Sequence, residues 1–360
     1  MTRTHNYFPA LDGLRAIAAF AVLWTHIERF KQSKGEPTLC SIPFNSFIGG
    51  LAVTLFFVLS GFLITDILLS EKKAGGSIQI PEFLRNRFLR IGPLYFLTLI
   101  AGYLVSVFIF RDTQPDPVRN GFLINLFMLS NIAFGLNLIP EILIQIWSIG
   151  TEVQFYILWP FVISRRDPKR LIMIFIIIVL GWSLIRGGLY LAGLNKSVLS
   201  VIMFRTRFDC MAIGGMAALM MRRDLEDHSL LKRLGKLIQG HTAGLFMLTL
   251  FLILLIFSWK FDLSLYPLYS ILFACLIYRC TLEPPGLLTA SALRWLGKIS
   301  YGIYLIHHFA VYLVFYGLSE ILGSSRISEL FYFICASVLT IVFASISYFG
   351  MERKFLQMKH

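Results

Sequence analysis

Long apolar runs dominate this sequence, and eight of them are long enough to cross a lipid bilayer. An α-helix needs about 20 predominantly apolar residues to span the hydrocarbon core. The clear runs lie at residues 10–28, 47–69, 91–110, 171–192, 242–259, 262–278, 299–322 and 328–350. Shorter apolar runs lie at 121–138, 152–163 and 207–221. This pattern predicts an all-α membrane protein.

The composition supports the same fold class. Of the 360 residues, 57% are hydrophobic and only 15% are charged, whereas soluble domains are about 25% charged. At about 20 residues per span plus loops, we expect about ten transmembrane helices and a single integral membrane domain over residues 1–360. The net charge of +13 would also suit a nucleic-acid-binding protein. Because most Lys and Arg residues lie between apolar runs, we expect membrane lipids as partners and no nucleic acid.

Basic loops predict the orientation of the helices. Cytoplasmic loops of membrane proteins carry an excess of Lys and Arg. The basic segments are 71–90, 164–170, 222–236, 279–298 and the tail after residue 351. If all of them are cytoplasmic, the chain is a multi-pass protein of the bacterial inner (plasma) membrane with both termini in the cytoplasm.

The same loops constrain the region between them. Segments 71–90 and 164–170 share a side, so an even number of crossings separates them, and the run 91–110 supplies one. We therefore expect one more crossing, ending at Ile163, and a re-entrant or broken segment near 121–150. Broken backbone at membrane depth must be shielded by protein or line a wet cavity, which predicts a cavity near Trp147 and Glu152.

Ionisable residues inside apolar runs cost several kcal/mol unless they are paired or hydrated, so each is a candidate functional residue. Arg15 and His26 are eleven residues apart, which places them on one face of a helix and about 16 Å apart along its axis. Asp12 lies one turn before Arg15. The pattern suits a functional histidine, and it also suits a polar residue at the membrane interface.

Arg85, Arg87 and Arg90 form a basic group just before the third long run. Arg87 and Arg90 share a helical face. Inside-positive anchoring accounts for such a group, and so does a clamp for phosphate, because guanidinium groups match phosphate geometry.

Two short helices are predicted to begin with polar residues near the outer face. Glu152 and Gln154 begin one, with Trp147 and Ser148 just before it, and the helix dipole stabilises a carboxylate there. Arg207 and Asp209 begin the other, where a structural ion pair between them is the plainer interpretation. Together with His26, these residues would place polar groups in the outer half of the membrane.

The run that begins at residue 299 carries a further polar face. Tyr304 and His307 share that face, with Ser300 one turn earlier, and Tyr301 and His308 form the neighbouring stripe. Adjacent helical residues point about 100° apart, so we expect that His307 and His308 do not both face one partner. A phosphorylated donor held at the inner arginines and chemistry nearer the outer face would account for both groups of polar residues.

Seven segments together resemble the acyltransferase-3 family of membrane acyltransferases over nearly the whole chain. They are LDGLRAIAAFAVLWTH, LFFVLSGFLIT, RNRFLRIGPLY, WSIGTEVQFYILWP, RFDCMAIGG, LGKISYGIYLIH and YFGMERKF. The resemblance implies an O-acyltransferase that takes an acyl group, commonly acetyl, from cytoplasmic acyl-CoA. The implied acceptors are hydroxyls of cell-envelope glycans such as exopolysaccharide, of lipid-linked sugars or of secreted small molecules.

The resemblance also implies residue roles. His26 would be the catalytic histidine with Arg15 as its partner, Glu152 an acidic residue of the site, and Arg87 and Arg90 donor-binding residues. Many members of the family carry a second acidic residue where this chain has Val153. Some members also carry a periplasmic hydrolase-like domain, which we do not expect here, since about ten residues follow the last apolar run.

These assignments lead to a mechanistic hypothesis. His26 would act as general base on the acceptor hydroxyl, with acyl-CoA as co-substrate and no bound cofactor or metal. Glu152 would orient the imidazole or position the acceptor, and an arginine such as Arg207 would stabilise the oxyanion. A covalent acyl-enzyme, for example on Tyr304, is the alternative route, and the remaining polar residues, Asp12, Ser148, Asp209, Tyr301 and His307, are candidate substrate contacts.

Two other classes of protein fit the pattern. Broken helices and buried charges also occur in transporters, although no internal repeat is evident. A non-catalytic scaffold would leave His26 replaceable. Oligomerisation is compatible with the sequence.

Overall fold

The computed structural model describes residues 7–36, 38, 42–109, 120–222, 235, 237–238, 240–261, 265–322 and 329–358. Within those ranges every regular element is helical, which confirms the predicted all-α class. The α-helices, in chain order, are α1 (Pro9–Ser33), α2 (Ile42–Gly75), α3 (Ile80–Phe108), α4 (Gly121–Leu126), α5 (Ser130–Gly135), α6 (Trp147–Ser164), α7 (Pro168–Leu191), α8 (Val198–Arg205), α9 (Phe208–Met221), α10 (His241–Phe261), α11 (Tyr266–Leu282), α12 (Ser291–Lys298), α13 (Ser300–Leu322), α14 (Glu329–Ser347) and α15 (Arg353–Gln357). A 3₁₀ segment, Glu141–Ile146, precedes α6, and a π-helical segment, Tyr348–Glu352, precedes α15.

Six helical segments among the described residues are long and apolar enough to cross a membrane. They are Pro9–Ser33, Phe44–Gly75, Ile80–Phe108, Glu141–Ser164, Pro168–Leu191 and Leu330–Gln357. α12 and α13 meet at a bend of 72° and count as a seventh if they are one span, and α10 and α11 contain shorter apolar helices. The multi-pass architecture is therefore supported, whereas the expected number of about ten is supported only in part.

The segment before α6 is broken, which supports in part the re-entrant or broken segment expected near 121–150. Two six-residue helices, α4 and α5, are joined to α6 by turns and the 3₁₀ segment. Met128 and Asn137 adopt positive φ angles of 56° and 58°, a conformation that ends helices readily at asparagine. The 3₁₀ segment runs directly into α6, and Glu141–Ser164 together reach spanning length.

The basic residues expected in a loop before the third span instead lie on a helix. α2 continues to Gly75 and α3 begins at Ile80, so Arg85, Arg87 and Arg90 occupy the first turns of α3. Pro81 in the first turn of α3 fits a helix start, because its missing N–H has no intrahelical partner there. The arginines are therefore held on a regular helix and do not lie in a loop.

The centre of the bundle is formed by α2, which packs against α1, α9 and α11. Its contact with α9 requires glycine on both sides. A Cβ at Gly61 would run into the Met211 carbonyl, and one at Gly214 would run into the Val58 carbonyl. Small residues allow helix backbones to approach closely in membranes, where van der Waals packing drives association.

Burial separates the inner helices from the outer ones. In the spanning window of α1, 67% of the residues are buried, against 17% in α7. Exposed apolar side chains such as Ile177, Leu180 and Leu184 cover α7, as expected of a helix that faces lipid. The polar residues of α1 therefore face protein.

A short polar turn separates α6 from α7. The Asp167 carboxylate accepts a hydrogen bond of 2.9 Å from the Arg170 backbone N–H and so caps α7. That hydrogen bond holds the pKa of the Asp167 carboxyl below its usual range. The predicted basic segment 222–236 lies largely outside the described residues, as do residues 1–6 and 359–360.

Candidate active site

Two cavities, of about 80 and 240 Å³, meet inside the bundle. The arginine cavity is lined by Arg15, Val53, Phe56, Phe57, Ser60, Leu63, Ile64, Arg87, Arg90, Ile91, Ser148, Ile149, Glu152, Tyr156, Ser300, Tyr301 and Tyr304. The histidine cavity is lined by Val22, Thr25, His26, Arg29, Ser46, Gly49, Gly50, Val53, Trp147, Arg205, Arg207, Tyr266 and Tyr304. Val53 and Tyr304 line both. The sequence predicted a cavity near Trp147 and Glu152, and each of these residues lines one of the two.

The arginine cavity brings together three of the predicted arginines. Arg15 comes from α1, and Arg87 and Arg90 come from α3. The Arg87 guanidinium lies over the ring of Phe83, 5.2 Å from its centroid, and its buried Nε has no hydrogen-bond partner among the described residues. These groups can hold phosphate oxygens. Arg85, the fourth candidate, is exposed and is not among the residues that line the cavity.

Glu152 belongs to the arginine cavity. Its Oε1 accepts a hydrogen bond of 2.5 Å from the Ser60 hydroxyl and another from the Tyr156 hydroxyl. From the sequence, Glu152 was expected to orient His26 or to position the acceptor, and the structure puts Glu152 and His26 in different cavities, which rules out the first role. The reason lies in α6, which turns the face carrying Glu152 and Tyr156 towards α2 and α3.

Arg15 and His26 are likewise separated. Arg15 lies 3.5 Å from the Asp12 carboxylate, and Asp12 also accepts a hydrogen bond from Tyr7. His26 lines the other cavity, as expected from the distance of about 16 Å that eleven helical residues span. Arg15 therefore does not contact the histidine whose partner the resemblance implied it to be.

His26 instead meets two histidines of α13. Its Nδ1 lies 2.6 Å from Nε2 of His307 and 2.9 Å from Nε2 of His308. The expectation that adjacent histidines cannot face one partner is therefore wrong. The three rings form a triangle with centroids 4.5–4.9 Å apart, in which His26 is stacked on His307 at 17° and edge-on to His308 at 61°.

The hydrogen bonds of His307 select a tautomer for His26. His307 Nδ1 lies 2.7 Å from the Tyr304 carbonyl, which can only accept, so the proton of His307 is on Nδ1. His307 Nε2 then accepts from His26 Nδ1–H. This arrangement leaves Nε2 of a neutral His26 unprotonated and available to accept a proton.

The three histidines are also a geometric candidate for a metal, since their ligand atoms lie within 4.8 Å of one another. Tetrahedral zinc with Zn–N bonds of about 2.0–2.1 Å separates its ligand nitrogens by about 3.3 Å. The observed separations of 2.6 and 2.9 Å are shorter and match hydrogen bonds. The geometry favours a histidine network over a metal centre.

The histidine cavity contains arginines that the sequence only partly identified. Arg207 is 2% exposed, and its Nη1 donates hydrogen bonds of 3.0 Å to the Gly50 carbonyl and 2.7 Å to the Thr54 hydroxyl. Its guanidinium lies 3.7 Å from the centroid of the Tyr266 ring. Arg205 lies over Trp147 at 4.7 Å.

Asp209, expected to pair with Arg207, does not do so. Its carboxylate accepts a hydrogen bond from Arg186 of α7, and both side chains are buried. Asp209 follows the start of α9 and points away from the cavity towards α7. It contributes to packing between helices and is not a lining residue of either cavity.

Tyr304 and Ser148 lie where the cavities meet. Their hydroxyl oxygens are 2.6 Å apart, and both hydroxyls lie within hydrogen-bond distance of the Gln145 carbonyl, at 3.1 Å for Tyr304 and 3.3 Å for Ser148. Both hydroxyl protons are used within this group, so Tyr304 donates to a ligand by exchanging its hydrogen bond to the Gln145 carbonyl for one to that ligand. Tyr301, predicted on the neighbouring stripe, donates to the Ile91 carbonyl at 2.7 Å.

Sequence analysis missed several lining residues, and some of them left a signal. Tyr156 follows Glu152 by four residues, so a helix places both on one face. Ser60 is a hydroxyl inside an otherwise apolar stretch of α2. Arg29 and Tyr266 carried no local signal, because only the packing of α1 and α11 brings them to the cavity.

Comparison with known proteins adds independent information. A family model described as an acyltransferase domain matches residues 8–349. The peptidoglycan O-acetyltransferase OatA of Listeria monocytogenes is 29% identical over 85% of this chain and 49% of its own length. The O-acetyltransferase OatA of Staphylococcus aureus is 28% identical over 96% of this chain and 57% of its own length. The chain thus spans about half the length of these curated relatives, and no solved structure matches it.

Proposed function

This chain belongs to the acyltransferase-3 family, and from that premise we propose that it is a membrane O-acetyltransferase acting on a cell-wall carbohydrate. The observation that carries the proposal is the meeting of two cavities at Tyr304, one rich in arginine and one containing a tautomer-fixed histidine. The names of the relatives support the acetyl group and the carbohydrate acceptor.

The arginine cavity is the proposed donor site. Arg15, Arg87 and Arg90 face a single glutamate among its lining residues, so the cavity attracts an anion. Guanidinium groups bind phosphate through paired hydrogen bonds. These residues would hold the phosphates of acetyl-CoA, which arrives from the cytoplasm, with the thioester directed towards Tyr304.

The histidine cavity is the proposed acceptor site. Nε2 of His26 takes the proton of the acceptor hydroxyl as its oxygen attacks the thioester carbonyl. The carbonyl oxygen becomes an oxyanion, which the Tyr304 hydroxyl stabilises by donating a hydrogen bond. When the intermediate collapses, the C–S bond breaks, and protonated His26 returns the proton to the departing thiolate of CoA.

This assignment changes two sequence-based roles. Oxyanion stabilisation moves from Arg207 to Tyr304, because Tyr304 lines both cavities whereas Arg207 lines only the histidine cavity. Orientation of His26 moves from Glu152 to His307. Glu152 instead positions Ser60 and Tyr156 beside the donor.

Transfer of label from acetyl-CoA to peptidoglycan fragments by the purified full chain tests the proposal. We expect His26→Gln to reduce transfer by about 10²- to 10⁴-fold, the usual contribution of a general base, while its thermal stability and acetyl-CoA binding stay near those of the wild type. Undiminished transfer by His26→Gln would refute the assignment of the base.

Two further outcomes of the same assay separate the alternatives. Label that stays on the protein before acceptor is added would indicate an acyl-enzyme, for example on Tyr304. Movement of an unmodified substrate across vesicles, without transfer of label, would instead favour a transporter.

A further inference from the structure

We propose that the histidine cavity binds its acceptor through an anionic group, a carboxylate or a phosphate, held by Arg205 and Arg207. The inference rests on the proposed function and specifies the class of acceptor. It begins from the charge of the lining residues. Three are arginines, and none of the described lining residues is acidic.

The positive charges are not neutralised elsewhere. Arg205 and Arg207 form no ion pair with any residue in the described ranges. The nearby carboxylate of Asp209 is engaged by Arg186, and Glu152 lies in the arginine cavity. Because charges at membrane depth are costly unless paired or hydrated, the cavity favours an anionic ligand.

The two guanidinium groups are held in place before any ligand arrives. Arg207 is fixed by its bonds to Gly50 and Thr54 and by the Tyr266 ring, and Arg205 lies over the rings of Phe134 and Trp147 at 4.2 and 4.7 Å. Preorganised donors lose little conformational entropy on binding. Nε and Nη1 of Arg207 already donate to Phe204, Gly50 and Thr54, so Arg207 meets an oxyanion through Nη2, whereas Arg205 can use its whole guanidinium.

The turn that carries both arginines is also fixed. Between them, Thr206 accepts a hydrogen bond of 2.8 Å from Asn131, which exchanges hydrogen bonds of 3.1 and 2.7 Å with Gln154. The Arg205 carbonyl accepts from Thr151 at 3.3 Å. The broken segment and α6 thus hold Arg205 and Arg207 on the same cavity as His26.

The size of the cavity restricts the ligand. Its volume of about 240 Å³ lies just below the range of about 300–1,000 Å³ for small-molecule sites, which suits a ligand as small as one sugar unit. There is room for a sugar unit whose anionic group meets the arginines while a hydroxyl faces His26. A carboxylate on the sugar and a phosphate linking it to a lipid offer the same chemistry.

Binding to the purified full chain tests the inference without turnover, using His26→Gln. The probes are an N-acetylglucosamine disaccharide, the same disaccharide carrying a carboxylate, and the same disaccharide carrying a 1-phosphate. We expect one charged form to bind roughly 10- to 100-fold more tightly than the neutral one, as charge-assisted hydrogen bonds typically provide. The form that binds more tightly identifies the source of the anion, and equal affinity for all three would overturn the inference.

Variants in the wild-type background identify the residues. Arg205→Gln should remove the preference for the charged probe. Arg207→Lys should reduce that preference, because it keeps the positive charge but loses the planar guanidinium. Arg170 is an exposed arginine of α7 that pairs with Asp167. The variant Arg170→Gln is therefore the matched control and should keep the preference for the charged probe.

Two results would contradict the acceptor role specifically. If Arg205→Gln raises the KM for acetyl-CoA and leaves that for the acceptor unchanged, the cavity binds the donor. If the charged probe binds but the wild type transfers no acetyl group to any acceptor, the proposed transferase function is refuted. If the wild type transfers acetyl groups but shows no preference for a charged probe, that function stands and only the inference of an anionic acceptor is refuted.

Discussion

The hydrogen bonds around His26 assign roles that no single residue reveals. His307 accepts from His26 and donates to the Tyr304 carbonyl, while Tyr304 extends its hydroxyl into the junction of the cavities. The Tyr304 carbonyl thus fixes the tautomer of His307, and His307 fixes that of His26. This series of hydrogen bonds orients His26, a role that a carboxylate plays in other acyl-transfer enzymes.

His307 is therefore expected to act by positioning. Replacing it with phenylalanine removes the nearer of the two nitrogens that face His26 Nδ1–H, and we expect kcat to fall roughly 10- to 100-fold, part of the contribution of a general base, with the KM for acceptor unchanged. His307→Gln, whose amide oxygen can accept the same hydrogen bond, should recover part of the loss.

The neighbouring histidine provides the control. His308→Phe should reduce kcat less than His307→Phe, because Nδ1 of His308 has no hydrogen-bond partner among the described residues to fix its tautomer. Steady-state kinetics on the three variants measures the difference. A larger decrease in kcat for His308→Phe would mean that His308, and not His307, fixes the tautomer of His26.

At the scale of helices, the buried ion pair of Arg186 and Asp209 joins α7 to α9. α7 is largely lipid-facing, and α9 packs on the central α2. The pair therefore connects the outer layer to the centre of the bundle, beside the turn that carries Arg205 and Arg207.

Removing one partner of this pair should be costly. Arg186→Leu leaves Asp209 buried without its counter-ion, and breaking such pairs typically costs about 3–5 kcal/mol. Thermal unfolding in detergent should show a marked decrease in stability. The double variant Arg186→Leu, Asp209→Leu should recover most of it, since both charges are then absent, and a double variant as unstable as the single one would show that packing, not charge, is responsible.

Across the whole molecule, the two cavities are expected to open towards opposite sides of the membrane. Ser46 is exposed near the histidine cavity, and Ser77 is exposed between α2 and α3, on the side from which the arginines of α3 extend. If the basic connections are cytoplasmic, we expect Ser46 to face outwards and Ser77 inwards.

Labelling of intact cells with a membrane-impermeant maleimide checks this orientation. We expect Ser46→Cys to react and Ser77→Cys to react only after the cells are opened, with the unsubstituted chain as the background for its native cysteines. The opposite pattern would invert the topology, and labelling of both from outside would contradict cavities on opposite sides.

The sequence by itself determined the helical membrane architecture, the broken segment before α6 and most polar residues of the site. These features are local, because apolar length, charge between runs and residues at helical spacing are properties of neighbouring positions. His26, Arg87, Arg90, Ser148 and Tyr304 all line a cavity as their placement in apolar or basic runs suggested.

Only the tertiary structure decided which of those residues meet. Helical spacing fixes the face on which a side chain lies but not the partner helix, so Glu152 was assigned to His26 and Asp209 to Arg207. In the packed bundle, Glu152 contacts Ser60 and Tyr156, Asp209 contacts Arg186, and His26 contacts both histidines of α13. The division of the polar interior into two cavities follows from those long-range contacts, which no local pattern encodes.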